Sequence, residues 1–445
     1  MASSCQGALS ASAEIRQFPS ATAQPELAAT VAFMAERHPT PDYSATATGL
    51  SAAAAPGTAP EHVRFETAEA AQPGAVAIPR RSNAGLVVAA VVGFIVLALV
   101  MLFVLAYLFV GLGPVGVIGG GIMALVPLAI VFWGIRWVDR WEPEPRGALV
   151  FAFLWGAGVS VLIALAVDAE IRNVIALAGL GQFGEQFFGA VIQAPIVEEV
   201  GKGLGVLILF FAVRRYFDGP VDGIVYGAWV AGGFAFTENI LYFGSQLLTS
   251  GLTGAAEIFF IRGIMSPFAH IMFTAFVGAA LGFAARRSGA LGGIVAFLVG
   301  LVPAVLLHAF WNGALFFVTD FYGYYLLVQV PMFLIAVALV VMLRRQEQRI
   351  TRARLTEYAD VGWFHPAEVA MLSSFSGRRG AQAWARTHRV EPAMALFIRD
   401  ATRLAYARQR LLGDRANISA QADEAVLLTR VSAARHALRA GGATT

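Results

Sequence analysis

The chain has 445 residues, of which 58% are hydrophobic and 14% charged, and its formal net charge is +3. That balance excludes a soluble globular protein of this size, and a small positive charge carried by arginines beside apolar runs gives no reason to expect a nucleic-acid partner. The single cysteine, Cys5, carries no information on disulfides or metal binding.

Residues 1–82 are rich in Ala, Ser, Thr and Pro with no sustained apolar period, which predicts a disordered cytoplasmic arm. Residues 83–345 hold the apolar surplus. About eight runs there are long enough to cross a bilayer at 1.5 Å per residue, at about 84–110, 114–137, 147–167, 187–213, 223–248, 258–284, 290–317 and 322–343. The fold class is therefore all-α, a polytopic membrane bundle.

Arginines mark alternate ends of the serpentine: Arg80 and Arg81, Arg136, Arg140 and Arg146, Arg214 and Arg215, Arg286 and Arg287, and Arg344, Arg345 and Arg349. Positive residues are retained in the cytoplasm, so both termini of this cell-membrane protein are expected there. Arg172 is an exception, and Arg262 is placed near enough to a span end to snorkel. No signal peptide is visible, and the first span is expected to act as an uncleaved anchor.

Residues 346–445 carry charges at ordinary density. Met394, Phe397, Ile398, Ala401 and Leu404 recur at helical spacing between Pro392 and Gly413, and a second helix is expected after Ser419 as N-cap. This predicts a small cytosolic helical appendage, in which His365, His388 and His436 read as surface or packing groups.

Polar and charged groups at bilayer depth are costly and each needs a reason. They fall on four consecutive spans: Glu198, Glu199 and Lys202 on the fourth, Glu238 and Asn239 on the fifth, His270 on the sixth, His308 and Asn312 on the seventh. Counted from the cytoplasmic ends, Glu198, Glu238, His270 and His308 all lie about 22 to 27 Å deep. One level on four antiparallel spans implies one polar cavity, entered from the extracytoplasmic side. Glu198 with Lys202, Phe234 with Glu238, and His308 with Asn312 are each one turn apart, and Pro195, Pro267 and Pro303 break the spans near them. Lys202 is the chain's only lysine, which points to a need for a compact ammonium in place of a planar fork.

Three carboxylates and one ammonium leave about two negative charges that a low dielectric does not hold. Protons, cationic histidines or a divalent cation would balance them. Glu199, Glu238, His270 and His308 with a water make a suitable set for Zn2+, whose bound water is nucleophilic at neutral pH. Without metal, a glutamate activates water directly, with Asn312 or a His donating to the developing oxyanion. The residues alone leave both routes open.

At these positions the chain resembles the PrsW family of intramembrane proteases, relatives of the type II CAAX prenyl endopeptidases. The matching features are Glu198-Glu199-Val200-Gly201-Lys202, Gly233-Phe234-Ala235-Phe236-Thr237-Glu238-Asn239 running into Leu241-Tyr242, His270, and His308-Ala309-Phe310-Trp311-Asn312. The resemblance implies hydrolysis of peptide bonds in membrane-anchored proteins, with anti-sigma factors as the family-level expectation. It implies that Glu198 or Glu199 is the base, that Glu238, His270 and His308 complete the site or bind metal, and that Asn312 is the oxyanion donor. The prenyl endopeptidases have His at the place of Glu238 and Arg near that of Lys202, which argues against prenylated substrates. Two other classes use midplane acids in a cavity: an ion-coupled transporter, against which no internal repeat is found, and a catalytically silent binder, which would not need the Glu-Glu pair with its histidines. Signatures of site-2, rhomboid and aspartyl intramembrane proteases are absent.

Overall fold

The computed structural model describes residues 84–178, 181–214, 217, 219–285, 289–413 and 418–442. The arm 1–82 and Arg80, Arg81, Arg215, Arg286 and Arg287 lie outside the described residues. Among those described, regular structure is helical throughout, as the long apolar runs require in a medium with no water to satisfy the backbone. The described residues fall into two compact units, divided between Gln346 and Glu347.

In the first unit, helix α1 covers Ala84–Val138. Helix α2 is assembled from Arg146–Leu154, a π-helical Trp155–Ser160 and Val161–Ala178. Helix α3 comprises Gly181–Phe187, a π-helical Phe188–Gln193 and Ala194–Ala212. Helix α4 is Pro220–Ile258, continued by a π-helical Phe259–Met265, and α5 is Ala269–Ala285. Helix α6 is Ala290–Ala314, and α7 runs from Phe321–Tyr324 through a π-helical Tyr325–Gln329 into Val330–Asp360, whose residues from Glu347 onward belong to the second unit.

Gly113 (φ 62°) and Gly251 (φ 65°) interrupt α1 and α4 with left-handed backbone that other residues avoid, so α1 holds two spans, and the end of α4 together with α5 makes the sixth. With these breaks the eight predicted spans are helical in the expected order. Among the described residues, five helical stretches are long and apolar enough by composition alone to cross a membrane. Helix α3 is not among them because Glu198, Glu199 and Lys202 dilute its apolar character.

The two arms of the Gly251 hairpin touch backbone to backbone. A Cβ on Gly223 would lie 1.9 Å from the Gly278 carbonyl oxygen, and one on Gly278 would lie 2.1 Å from that of Gly223. Lipid offers little hydrophobic drive for helices to associate, so close approach through small residues supplies the packing. At one end of the bundle Tyr226 reaches out of α4 to donate its hydroxyl to Glu144 at 2.5 Å, in the loop between α1 and α2.

In the second unit, α8 is Pro366–Leu372, α9 Phe375–Thr387, α10 Glu391–Gly413 and α11 Ile418–Gly442. Met394, Phe397, Ile398, Ala401 and Leu404 are all buried in its core. Ser419 lies inside α11, not at its cap, because the helix already runs from Ile418. His365 caps α8, its Nδ1 accepting from Ala367 N–H, and His388 stacks on Trp384, so the first has a capping role and the second a packing one. Arg435 closes a paired contact on Glu368 at 2.9 Å.

Candidate active site

The π-helical turn Phe188–Gln193 and Pro195 aim the next turns of α3 at the centre of the bundle. A π-turn adds a residue to one helical circuit, rotates everything after it, and is frequent at functional positions. Glu198, Glu199 and Lys202 are all buried, the last two completely.

Lys202 is the hub. Its Nζ donates to Glu198 Oε2 at 3.1 Å, to Glu199 Oε1 at 2.8 Å and to His270 Nδ1 at 3.0 Å, and it lies 4.1 Å from the centre of the Phe234 ring. Three donors meet three acceptors, and an aromatic face covers the remaining side. A guanidinium has no such compact arrangement.

The same contacts fix the histidine tautomers. An ammonium only donates, so His270 Nδ1 accepts, and its Nε2 carries the hydrogen that reaches Glu238 Oε2 at 2.9 Å. His308 Nδ1 lies 3.1 Å from Glu199 Oε1, a carboxylate that only accepts, which leaves the His308 Nε2 lone pair free. That nitrogen is 4.0 Å from Glu198 Oε2, and Phe273 stacks on the ring at 4.6 Å. Glu199 also accepts from Thr274 Oγ1 at 2.8 Å.

The two glutamates of the pair thus differ in setting. Glu199 is enclosed by Lys202, His308 and Thr274. Glu198 faces a cavity of about 350 Å³, together with Glu238, Asn239, His270, His308 and Asn312. All eight predicted site residues therefore gather at one place, six of them on the cavity wall. Asn312 donates through Nδ2 to the Ala190 carbonyl at 2.9 Å, tying α6 to α3 and leaving one amide hydrogen for other use.

Arg262 corrects the sequence reading. Snorkelling was expected, but the π-helical Phe259–Met265 turns it inward, where it meets Glu238 at 2.5 Å, the Asn239 Oδ1 at 3.3 Å and the Tyr242 ring at 4.0 Å. With this second cation, three carboxylates face two positive charges and one negative charge is left instead of two. Thr274 was also missed, although its place one turn after His270 puts it on the same face.

Glu198, Glu199, His270 and His308 offer donor atoms within 4.8 Å of one another, so oxygen and imidazole ligands able to hold a metal ion are present. Glu238 stands outside that group, engaged by Arg262 and His270. Lys202 already bonds three of the four, so its ammonium and a metal compete for the same donors.

Residues 144–340 match the family described as PrsW family intramembrane metalloprotease. This membrane bundle is PrsW-like. Protease PrsW of Clostridioides difficile (strain 630) is 31% identical over 158 residues, 35% of this chain and 62% of that relative. Protease PrsW of Geobacillus kaustophilus (strain HTA426) is 33% identical over 140 residues, 32% and 55% of the two chains. Protease PrsW of Bacillus subtilis (strain 168) is 29% identical over 174 residues, 39% and 72%. The chain thus spans a little over three fifths of the first relative's length. No solved structure matches it significantly. The PrsW-like match takes in every site residue named above and leaves the four helices of the second unit outside.

Proposed function

We propose that this chain is an intramembrane endopeptidase that hydrolyses peptide bonds of membrane-anchored proteins, of which anti-sigma factors are one class. The observation that carries the reading is the pair Glu198 and His308, facing one cavity, with Glu198 Oε2 4.0 Å from an imidazole lone pair. At that distance one water oxygen bridges the two groups. Glu198 takes a proton from this water as its oxygen attacks the substrate carbonyl carbon, and the carbonyl π electrons move to oxygen. The free Nδ2 hydrogen of Asn312 donates to that oxyanion. When the C–N bond breaks, Glu198 returns the proton to the leaving amine. Lys202 and Glu199 hold Glu198 and His308 in register and touch no substrate.

A zinc ion would have to displace the Lys202 ammonium from Glu198 and His270 to use the same donors. Glu198, His270 and His308 would hold it, and its chemistry is to make bound water a better nucleophile and to polarise the carbonyl. The orientation that follows from the arginines puts both termini in the cytoplasm and the cavity in the outer half of the cell membrane.

The test is cleavage of a co-expressed single-span reporter. Glu198→Gln and Glu199→Gln are expected to insert normally and to lower cleavage by about a thousandfold or more, the scale of losing a general base and its support. Normal cleavage by both variants removes the assignment. Elemental analysis of purified protein, repeated with His270→Ala and His308→Ala, decides the metal: an active, metal-free enzyme rules zinc out.

A further inference from the structure

A second cavity of about 390 Å³ lies between the second half of α1 and helix α7. Its walls are Trp133 and Trp137 on one side and Ala336 and Val340 on the other, with Ala228 and Ala275 at its floor. Every lining residue is apolar or glycine, and Trp133 is 74% exposed at the rim, so the groove opens sideways towards lipid. From Phe333 to Val340 it is about 10 Å long, two turns of a helix.

A smaller chamber of about 210 Å³ lies between this groove and the candidate catalytic cavity and shares walls with both. It shares Phe268, Met272 and Phe333 with the groove, and Ser266, Pro267 and Trp311 with the cavity. Polarity rises along the way: the chamber adds Gln329, Ser266 and Tyr325, and the cavity adds charge. Helix α7, one wall of the route, is also the least enclosed of the membrane-spanning stretches.

We infer that the groove between α1 and α7 receives the transmembrane helix of the substrate and that the chamber passes its unwound end to Glu198. The inference rests on the proteolytic reading. A helix satisfies its own backbone and needs only apolar walls and small residues for close approach, which the groove supplies. An extended segment needs outside hydrogen-bond partners, and these begin in the chamber. An acyl chain would fill the groove equally well but gives no reason for a chamber that shares walls with both the groove and a hydrolytic site.

The test uses the full chain with Cys5→Ser and Glu199→Gln, so that substrate is held and not cut. Val337→Cys and Trp133→Cys are placed on opposite groove walls, and Val302→Cys on the lipid face of α6. The probe is a single-span protein with a 20-residue Leu/Ala helix carrying one cysteine, oxidised in membranes. Disulfide crosslinks at Val337 and Trp133 at least tenfold above Val302 are expected, and Ala336→Trp should reduce both at least fivefold. Cleavage of this probe by the wild-type chain without preferential crosslinking overturns the route and leaves the proteolytic reading intact. Preferential crosslinking without any cleavage by the wild type supports the route and overturns the proteolytic reading.

Discussion

Lys202 shows how one side chain organises the site. Fully buried and bonded to Glu198, Glu199 and His270, it is the charge that makes two adjacent glutamates tolerable in a low dielectric. Removing one partner of such a set is worse than removing both, because the survivor is left charged and unsolvated. Lys202→Met is therefore expected to lower stability in detergent by about 3–5 kcal/mol. The double variant Lys202→Met with Glu199→Gln should recover at least half of that loss in a thermal melt while remaining inactive. If the double variant melts no higher than the single one, the hub does not balance charge. The importance of Lys202 was legible because the chain contains no other lysine. The role of Arg262 was not, since a basic residue near a span end reads as snorkelling unless the local helical twist is known.

Among the elements, the apolar runs predicted eight spans that are all helical, although the charges on α3 keep it from qualifying by composition alone, and the turn at Gly251 fits the usual need for a residue free to adopt positive φ. The π-helical stretches left no such trace. Trp155–Ser160, Phe188–Gln193, Phe259–Met265 and Tyr325–Gln329 are compositionally ordinary, yet the second and third aim Glu198 and Arg262 inward. Nor did spacing alone show that Gly223 and Gly278 meet backbone to backbone. That contact sets the distance between α4 and α5, and Thr274, one turn from Gly278, depends on it to reach Glu199. Gly278→Val should destabilise the bundle by at least about 2 kcal/mol through overpacking and lower reporter cleavage about tenfold. Gly121→Val, where an added Cβ meets nothing within 4 Å, serves as the matched control and should change neither.

Over the whole molecule, ionisable groups are buried at a second level, in the loop between α1 and α2. Burial pushes the Asp139 carboxyl up to about 7, against the opposing pull of the Glu144 backbone N–H and Arg136. Burial, reinforced by Asp222, also raises Glu144 well above the usual carboxylate range. A carboxyl whose pKa is higher in the folded chain keeps a proton that the unfolded chain gives up, so its contribution favours folding at acid pH. That contribution shrinks as pH climbs from about 4, the unfolded value, to about 7, and is constant above. Asp139→Asn should flatten this slope and stabilise the chain at pH 8 by about 1–2 kcal/mol, discounting the shift for partial exposure. A melting temperature that falls equally with pH in both proteins would refer the effect to other groups.

The solitary ε-amine of this chain is enclosed at the centre of the candidate site, which turns a compositional oddity into a built-in gauge. An acylating reagent added to the native protein should spare the arginine-bounded peptide 173–214, and denaturant or a substrate that pries the helices apart should mark it. The rate at which that one peptide gains mass would clock how often the interior meets solvent.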